Sequence, residues 1–402
     1  MTQNGVLYTI PSQMEPMLPP DSSGELRDLA LDVVRRSAAL GSSVHRETAK
    51  GIGELVRAMN SFYSNLIEGH DTHPVDIEKA LAKDYSGDPA KRALQMESIA
   101  HIEVQKFTEQ LLEMEPETDI CSREFLCLIH RQFYDHLPEE FKEVKAPDGA
   151  TRIVRPGKLR DDGVEVGRHL APAASSLTLF LARFSEAYNP AGLDSVNKVI
   201  AAAASHHRLA WIHPFLDGNG RVARIFTHAY LIKAGLDGHG MWAVSRGLAR
   251  RRNEYLTALA EADEHRRGDL DGRGNLSEQG LVLFCRFFLE TMLDQVDFMR
   301  NLLDLDGMQK RIGAYAQQQV LMDELPRGSG KVLQQVFLRG RVSRGEAALL
   351  TGKAERTGRR VVKQLLDKNL LQSDSDKGPL RAAFPIKAVG FYFPRLYPEG
   401  GK

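Results

Sequence analysis

Two apolar helical runs, Val199 to Ala204 and Ile225 to Ile232, flank a stretch that cannot continue either of them. Residues 211 to 224 read Trp-Ile-His-Pro-Phe-Leu-Asp-Gly-Asn-Gly-Arg-Val-Ala-Arg. Pro214 and the two glycines stop one helix, turn the chain and start the next, so the segment predicts a helix–loop–helix in a helical core. The loop also concentrates chemistry. Gly218, Asn219 and Gly220 run into a helix start, where main-chain N–H groups lack intrahelical partners and attract phosphate oxygens. Arg221 and Arg224, one turn apart, can add planar forks to further phosphate oxygens. Asp217 is a hard oxygen ligand suited to Mg²⁺ beside substrate phosphates. His213 can take a proton near neutral pH. Together these residues read as a phosphate and metal cradle with a base at its lip.

The string from His213 to Arg224 resembles the signature of the Fic (Fido) family at every defining position. The resemblance implies a protein adenylyltransferase that moves AMP from ATP, with Mg²⁺, to a Tyr, Ser or Thr hydroxyl of a protein. In that reading His213 is the catalytic base, Asp217 holds the metal, and Gly218, Asn219, Gly220, Arg221 and Arg224 hold the phosphates. The implied fold is mainly α, an all-helical core with a β-hairpin flap.

A second motif lies far upstream, at Ser64-Asn65-Leu66-Ile67-Glu68-Gly69. Ser64 and Glu68 are four residues apart and share a helix face, and Gly69 is a helix terminator. Ser-x-x-x-Glu-Gly resembles the inhibitory motif of some Fic proteins. The resemblance pairs Glu68 with Arg224, where a carboxylate neutralises the arginine and repels a γ-phosphate. It makes Glu68, with Ser64, an autoinhibitory latch acting in cis.

Composition sets the remaining bounds. The 402 residues suffice for two to three domains. Lysines plus arginines equal aspartates plus glutamates at 53 each, so overall charge points to no class of partner. Cys121, Cys127 and Cys285 lie in apolar surroundings without a Cys-x-x-Cys pair, as expected of thiols in a reducing cytoplasm. No leader-like opening and no run of about 18 apolar residues appears, so no membrane partner is expected.

In chain order, residues 1–24, rich in Pro and Ser, predict a flexible arm. Residues 25–115 predict an N-terminal helical region carrying the inhibitory motif, and 116–310 the catalytic core. Residues 141–172, rich in Gly, Pro and charge, include β-like pieces at 151–154 and 164–166. The resemblance makes this the flap, whose Val166, Gly167, Arg168 and His169 line the nucleotide. Its exposed edge would hold the target by strand addition. His206 and His207 lack metal-ligand spacing and read as packing or surface histidines. Tyr255 matches a tyrosine that contacts adenosine in similar proteins, but Asp263 stands where they have an asparagine. Residues 275–308 predict one strongly apolar helical region.

Pro326 to Gly330 breaks the pattern, and 326–395 predicts a winged helix-turn-helix domain. Gly328-Ser329-Gly330-Lys331 lacks the spacing and the hydroxyl of a phosphate loop. Residues 327–372 hold eleven Lys and Arg against three acidic residues. Arg356, Arg359, Arg360 and Lys363 fall on the second helix of the helix-turn-helix, so two readings stand side by side: DNA as a partner, or a unit that packs against the catalytic core or binds protein. Two other functions fit the same residues: other Fic chemistry (UMP, GMP or phosphocholine transfer, or AMP removal), and a DNA-binding regulator whose core senses nucleotide. Family resemblance further implies self-modification and a homo-oligomer.

Overall fold

A computed structural model describes residues 8–20, 24–145, 149–167 and 169–398. Helices α1 (Gly24–Gly41), α2 (Arg46–Glu68), α3 (Pro74–Leu81) and α4 (Pro89–Met114) open the chain, followed by α5 (Arg123–Asp135). Short antiparallel hairpins β1–β2 (Glu143–Lys145, Thr151–Ile153) and β3–β4 (Glu165–Val166, His169–Leu170) precede α6 (Leu177–Tyr188). Then come α7 (Ser195–Ile212), α8 (Asn219–Lys233), α9 (Ser245–Arg250), α10 (Arg252–Asp263), α11 (Glu278–Leu302) and α12 (Leu305–Leu321). The chain ends in α13 (Ser329–Arg339), α14 (Arg344–Leu350), α15 (Glu355–Asp367), the hairpin β5–β6 (Leu371–Gln372, Arg381–Ala382) and α16 (Ile386–Tyr392).

Helices start where a side chain takes up the orphan N–H groups of the first turn. Asp88, Ser122, Asp194 and Ser277 cap α4, α5, α7 and α11 in this way. Helix α2 stops at Gly69, whose φ of 87° lets its N–H and that of His70 reach the carbonyls of Leu66 and Asn65. Helices α7 and α8 form the centre. Residues 199–209 of α7 are buried without interruption, because Ala201 to Ala204 let α1, α6, α8 and α11 approach on every side. Helix α8 is enclosed in turn by α4, α5 and α7, so the loop joining α7 to α8 is held from both ends.

One expectation is corrected. The N-terminal arm is not loose over residues 8–20. Met14 and Met17 are buried, the Tyr8 carbonyl accepts from the N–H of Ala173, and buried Arg208 donates to the Pro16 carbonyl at 2.8 Å. Methionines fill irregular gaps without any helical period, which is why the pattern looked structureless. Residues 1–7 and 21–23 of that arm lie outside the described residues. The apolar region 275–308 is helical as expected, divided between α11 and the start of α12 at Leu303, where Asp304 caps α12 by accepting from Gly307. Helix α16 was not expected at all.

The C-terminal unit, α13 to α16, grips α2 along its length. Thr48 donates to the Phe337 carbonyl (2.8 Å), Arg341 pairs with Glu47 (2.9 Å), and Gln372 and Arg381 reach Glu54. At Gly51 a side chain would meet the Ala382 carbonyl at 2.9 Å, so this helix turn needs a glycine. Near the other end Tyr63 donates to the Leu396 carbonyl (2.9 Å), and Phe62 packs edge-on against Tyr397.

Candidate active site

His213 ends α7 in the left-handed conformation (φ 49°, ψ 60°), which swings its ring out of the helix. Its Nδ1 lies 3.3 Å from the Ala210 carbonyl. A proton on Nδ1 satisfies that carbonyl and leaves Nε2 as the acceptor. Burial pushes the His213 imidazole down to about 4, against the opposing pull of the Ala210 carbonyl, so the ring is neutral at pH 7.

The loop after His213 is held by residues from two other places in the chain, α5 and the segment 157–160. Arg160, buried, donates from Nε to the His213 carbonyl (2.8 Å) and from Nη2 to that of Pro172 (2.6 Å), while its N–H reaches Pro214 (3.0 Å). It ties the base to the segment that follows the β3–β4 hairpin. His130 takes the N–H of Gly157 on Nδ1 (2.8 Å) and offers Nε2–H to the Asp217 carbonyl (3.3 Å), stacked on Phe215 at 4.0 Å. Tyr134 donates to Asp217 Oδ2 (2.7 Å), and Oδ1 accepts no hydrogen bond among the described residues. Gly218 follows with φ 78°, and a Cβ there would lie 2.9 Å from the Tyr134 ring. Asp217 is thus aimed by a tyrosine that fits only against glycine. A single oriented carboxylate with one free oxygen suits Mg²⁺, which takes few protein ligands when phosphates complete its shell.

Asn219 has a structural task in its side chain. Its side chain accepts from the Phe215 N–H (2.9 Å) and donates to the Phe215 carbonyl (2.8 Å), so the amide clips the loop shut. What Asn219 can offer an anion is its main-chain N–H at the start of α8. Arg221 is buried over the Phe133 ring (5.3 Å) and donates to Glu97 (3.2 Å), which also holds His70 (2.7 Å). Its Nε has no partner among the described residues. A buried unsatisfied donor is costly, so this one fits a ligand oxygen.

Arg224 is 2% exposed and held by α2 through two of its three nitrogens. Its Nε donates to Ser64 Oγ (2.8 Å), and its Nη2 to Glu68 Oε1 (2.5 Å) and the Ser64 carbonyl (3.3 Å). Burial alone would raise the Glu68 carboxyl, but Arg224 and Arg221 outweigh it and hold it below the usual range. A Cβ at Gly220 would meet Glu68 Oε1 at 2.4 Å. The Glu68 carboxylate therefore sits on the turn expected to bind phosphate. Arg252 secures it from outside, donating to the Ile67 carbonyl (2.8 Å). The motif resemblance pointed to Ser64, Glu68 and Arg224. It missed Arg160, His130, Tyr134, Glu97 and Arg252, which carry no local motif.

Around this loop the other expected residues fall differently. Gly167 (φ 63°) turns β3 into β4, and His169 donates to the Trp211 carbonyl at 2.8 Å. Val166 pairs with His169 through the backbone, and Arg168 lies outside the described residues. Tyr255, expected at the adenosine, is buried with its hydroxyl 2.7 Å from His206 Nε2. His206 Nδ1 meets Thr227, so both nitrogens serve the core behind Arg224. Asp263 pairs with His207 (3.1 Å).

Three buried histidines and the half-buried His213 imply a pH response of the fold. Burial lowers His101 and His206 to about 3 and His130 and His213 to about 4. An unfolded histidine titrates near 6.5, so the unfolded chain binds protons that the folded chain refuses. This contribution to stability is complete above pH 6.5 and is lost as pH falls from there toward 4. The melting temperature is expected to drop steadily between pH 6.5 and 4.5 in calorimetry, and a flat profile there would contradict buried neutral rings.

Comparison with known proteins agrees with this geometry. The Fic/DOC family model matches residues 120–231. Protein adenylyltransferase Fic of Drosophila erecta is 38% identical over 79 residues, and that of Drosophila ananassae 39%. Each match covers 20% of this chain and 16% of the relative, so the chain spans about a sixth of the curated relatives it matches. Among solved structures, a Fic family protein from Desulfovibrio desulfuricans G20 aligns over 91% of this chain and 98% of its own (TM-score 0.51, 16% identity). Residues 134–508 of Fic-1 from C. elegans align over 71% of this chain and 74% of their own (TM-score 0.53, 15% identity). At such identities the two structures speak for the fold alone. Residues 120–231 thus match the Fic/DOC family model, and the solved structures share the fold.

Proposed function

We propose that the protein is an adenylyltransferase that moves AMP from ATP to a hydroxyl side chain of a protein, itself included, and that Glu68 inhibits it in cis. The observation that carries the reading is the Glu68 carboxylate on Arg224, at the start of α8. An anion already occupies the place where a terminal phosphate would bind.

In this reading Gly218, Asn219, Gly220 and Arg221 hold the phosphates through N–H groups and the free guanidinium Nε, and Arg224 takes the γ end once Glu68 leaves. A magnesium ion on Asp217 would neutralise phosphate charge. His213 Nε2 accepts the proton of the target hydroxyl. That oxygen forms a bond to the α-phosphorus, the bond from the α-phosphorus to the bridging oxygen breaks, and pyrophosphate departs. Backbone at the β3–β4 edge, with Gly167 and His169, would align the target.

The test is label transfer to protein from ATP carrying ³²P at the α or the γ position, with Mg²⁺, using the Glu68→Gly protein. Label from the α position alone is the expected result. Label from the γ position would mean phosphoryl transfer, and label from UTP or GTP alone a different nucleotide. No label from any of them would remove the transferase reading in favour of nucleotide sensing.

A further inference from the structure

The basic segment near the C-terminus takes no part in the site just described. Its helices α13, α14 and α15, with the β5–β6 hairpin and a strand-like bridge between Val342 and Leu380, have the order of a winged helix. Ser343 caps α14 by accepting from Glu346, and a turn through Thr351 and Gly352 leads into α15. There Gly358 lies against the Ala348 carbonyl, where a Cβ would come within 2.4 Å. This close approach fixes the angle between the two helices. Helix α15 buries Gly358, Val361, Val362 and Leu365, and its opposite face is exposed.

Charge on that exposed face is uneven. Arg356, Arg360 and Lys363, at spacing i, i+4, i+7, form one stripe. Arg359 is engaged by Glu355 at 2.5 Å, whereas Arg356, Arg360 and Lys363 make no ion pair among the described residues. Lys353, exposed in the turn ahead of α15, adds a fourth cation. Over 344–368 seven lysines and arginines face three carboxylates, in a chain whose overall charge is zero. The unit turns α13 and β6 toward α2, while α15 packs chiefly on α14, α13 and β5. The charged stripe is thus on the side that the rest of the chain leaves open.

We infer that the Arg356–Arg360–Lys363 face of α15 is a docking surface for duplex DNA. The stripe runs about 10 Å along the helix at 1.5 Å per residue, comparable to the roughly 12 Å major groove that admits an α-helix. Three long cationic side chains on it would meet phosphates or base edges from within that groove. The hairpin tip carries Asp374 and Asp376 against Lys377, a net negative charge, so the helix rather than the wing makes the contact. This inference does not depend on the transferase reading.

The test is fluorescence anisotropy of the full chain with a labelled mixed-sequence duplex of about two helical turns, across a salt series. Wild type is expected to bind with salt-dependent affinity. The triple variant Arg356→Ala, Arg360→Ala, Lys363→Ala should flatten the plot of log affinity against log salt by about 2–3 units, since each neutralised phosphate contributes roughly 0.9. Arg356→Lys with Arg360→Lys should restore most of the salt dependence, which a merely misfolded variant would not allow. A control with Lys91→Ala and Lys106→Ala on α4 should bind as wild type does. Binding unchanged in the triple variant, or no duplex binding at low salt, overturns the inference. Tighter binding to double-stranded RNA, whose major groove is too narrow for a helix, would also overturn it in favour of an RNA surface.

Discussion

Replacing Glu68 by glycine is expected to raise self-labelling from α-³²P-ATP by about 10–100-fold. A hydrogen bond to a charged group contributes roughly 1.5–3 kcal/mol, and each 1.4 kcal/mol is about a factor of ten in a binding equilibrium. The contact at stake joins Glu68 Oε1 to Arg224 Nη2 at 2.5 Å, with Arg224 almost wholly enclosed. Removing the carboxylate frees the guanidinium and removes the negative charge that opposes a triphosphate. Glu68→Gln separates charge from bulk. It keeps the chain over Gly220, so part of the block should remain and labelling should rise less. Ser64→Ala removes only the bond from Arg224 Nε and should leave the wild-type level nearly unchanged. Equal labelling in wild type and Glu68→Gly would mean that the observed pairing does not limit the reaction. A higher affinity for ATP in Glu68→Gly, read by calorimetry, should accompany the gain.

The chemistry-bearing loop was legible in the sequence because its residues are consecutive. Helix breakers, a helix start and two arginines in twelve positions leave few alternative local structures. The Ser64–Glu68 pair was legible for another reason: four-residue spacing only places both on one helix face, and it is the resemblance of Ser-x-x-x-Glu-Gly to an inhibitory motif that singles them out. What holds these two pieces together was not legible. Arg160 and Tyr134 act through tertiary contacts, a carbonyl of residue 213 and a carboxylate of residue 217, and nothing adjacent to them in sequence announces the partner. Tyr255 shows the opposite failure. A tyrosine at a familiar spacing reads as a ligand contact, but burial requires its hydroxyl to find a donor or acceptor, and His206 supplies it. That the C-terminal unit packs on the rest of the chain was one of two readings, but the residues of α2 that it grips were out of reach, because Thr48, Glu54 and Tyr63 look like ordinary positions on an amphipathic helix. Through these contacts the helix that carries Glu68 is held at both ends, so the latch rests on more of the chain than its own motif.

His213→Ala, made in the Glu68→Gly background, is expected to lower labelling by roughly 10²–10⁴-fold, the usual contribution of a positioned general base. The geometry separates this effect from a loss of binding. His213 stands at the end of α7 with Nδ1 turned to Ala210, whereas the phosphate-facing groups belong to the start of α8. Affinity for ATP should therefore change by less than about threefold while turnover collapses, the pattern of an interaction made only in the transition state. A comparable loss of affinity would instead make His213 a nucleotide-binding residue. The pH profile supplies a second reading. A base works only when deprotonated, and burial lowers this imidazole to about 4. In the Glu68→Gly protein kcat/KM, which reports the free enzyme, should stay level from pH 8 to about 5 and fall below that. An inflection near 6.5 would place the catalytic proton on a solvated histidine, and His213 would lose its assignment. Arg160→Lys tests how the base is held. Lysine keeps the charge but cannot span the carbonyls of His213 and Pro172 with a planar fork. Turnover should fall while the pH profile keeps its shape, because the ring is misplaced rather than retitrated.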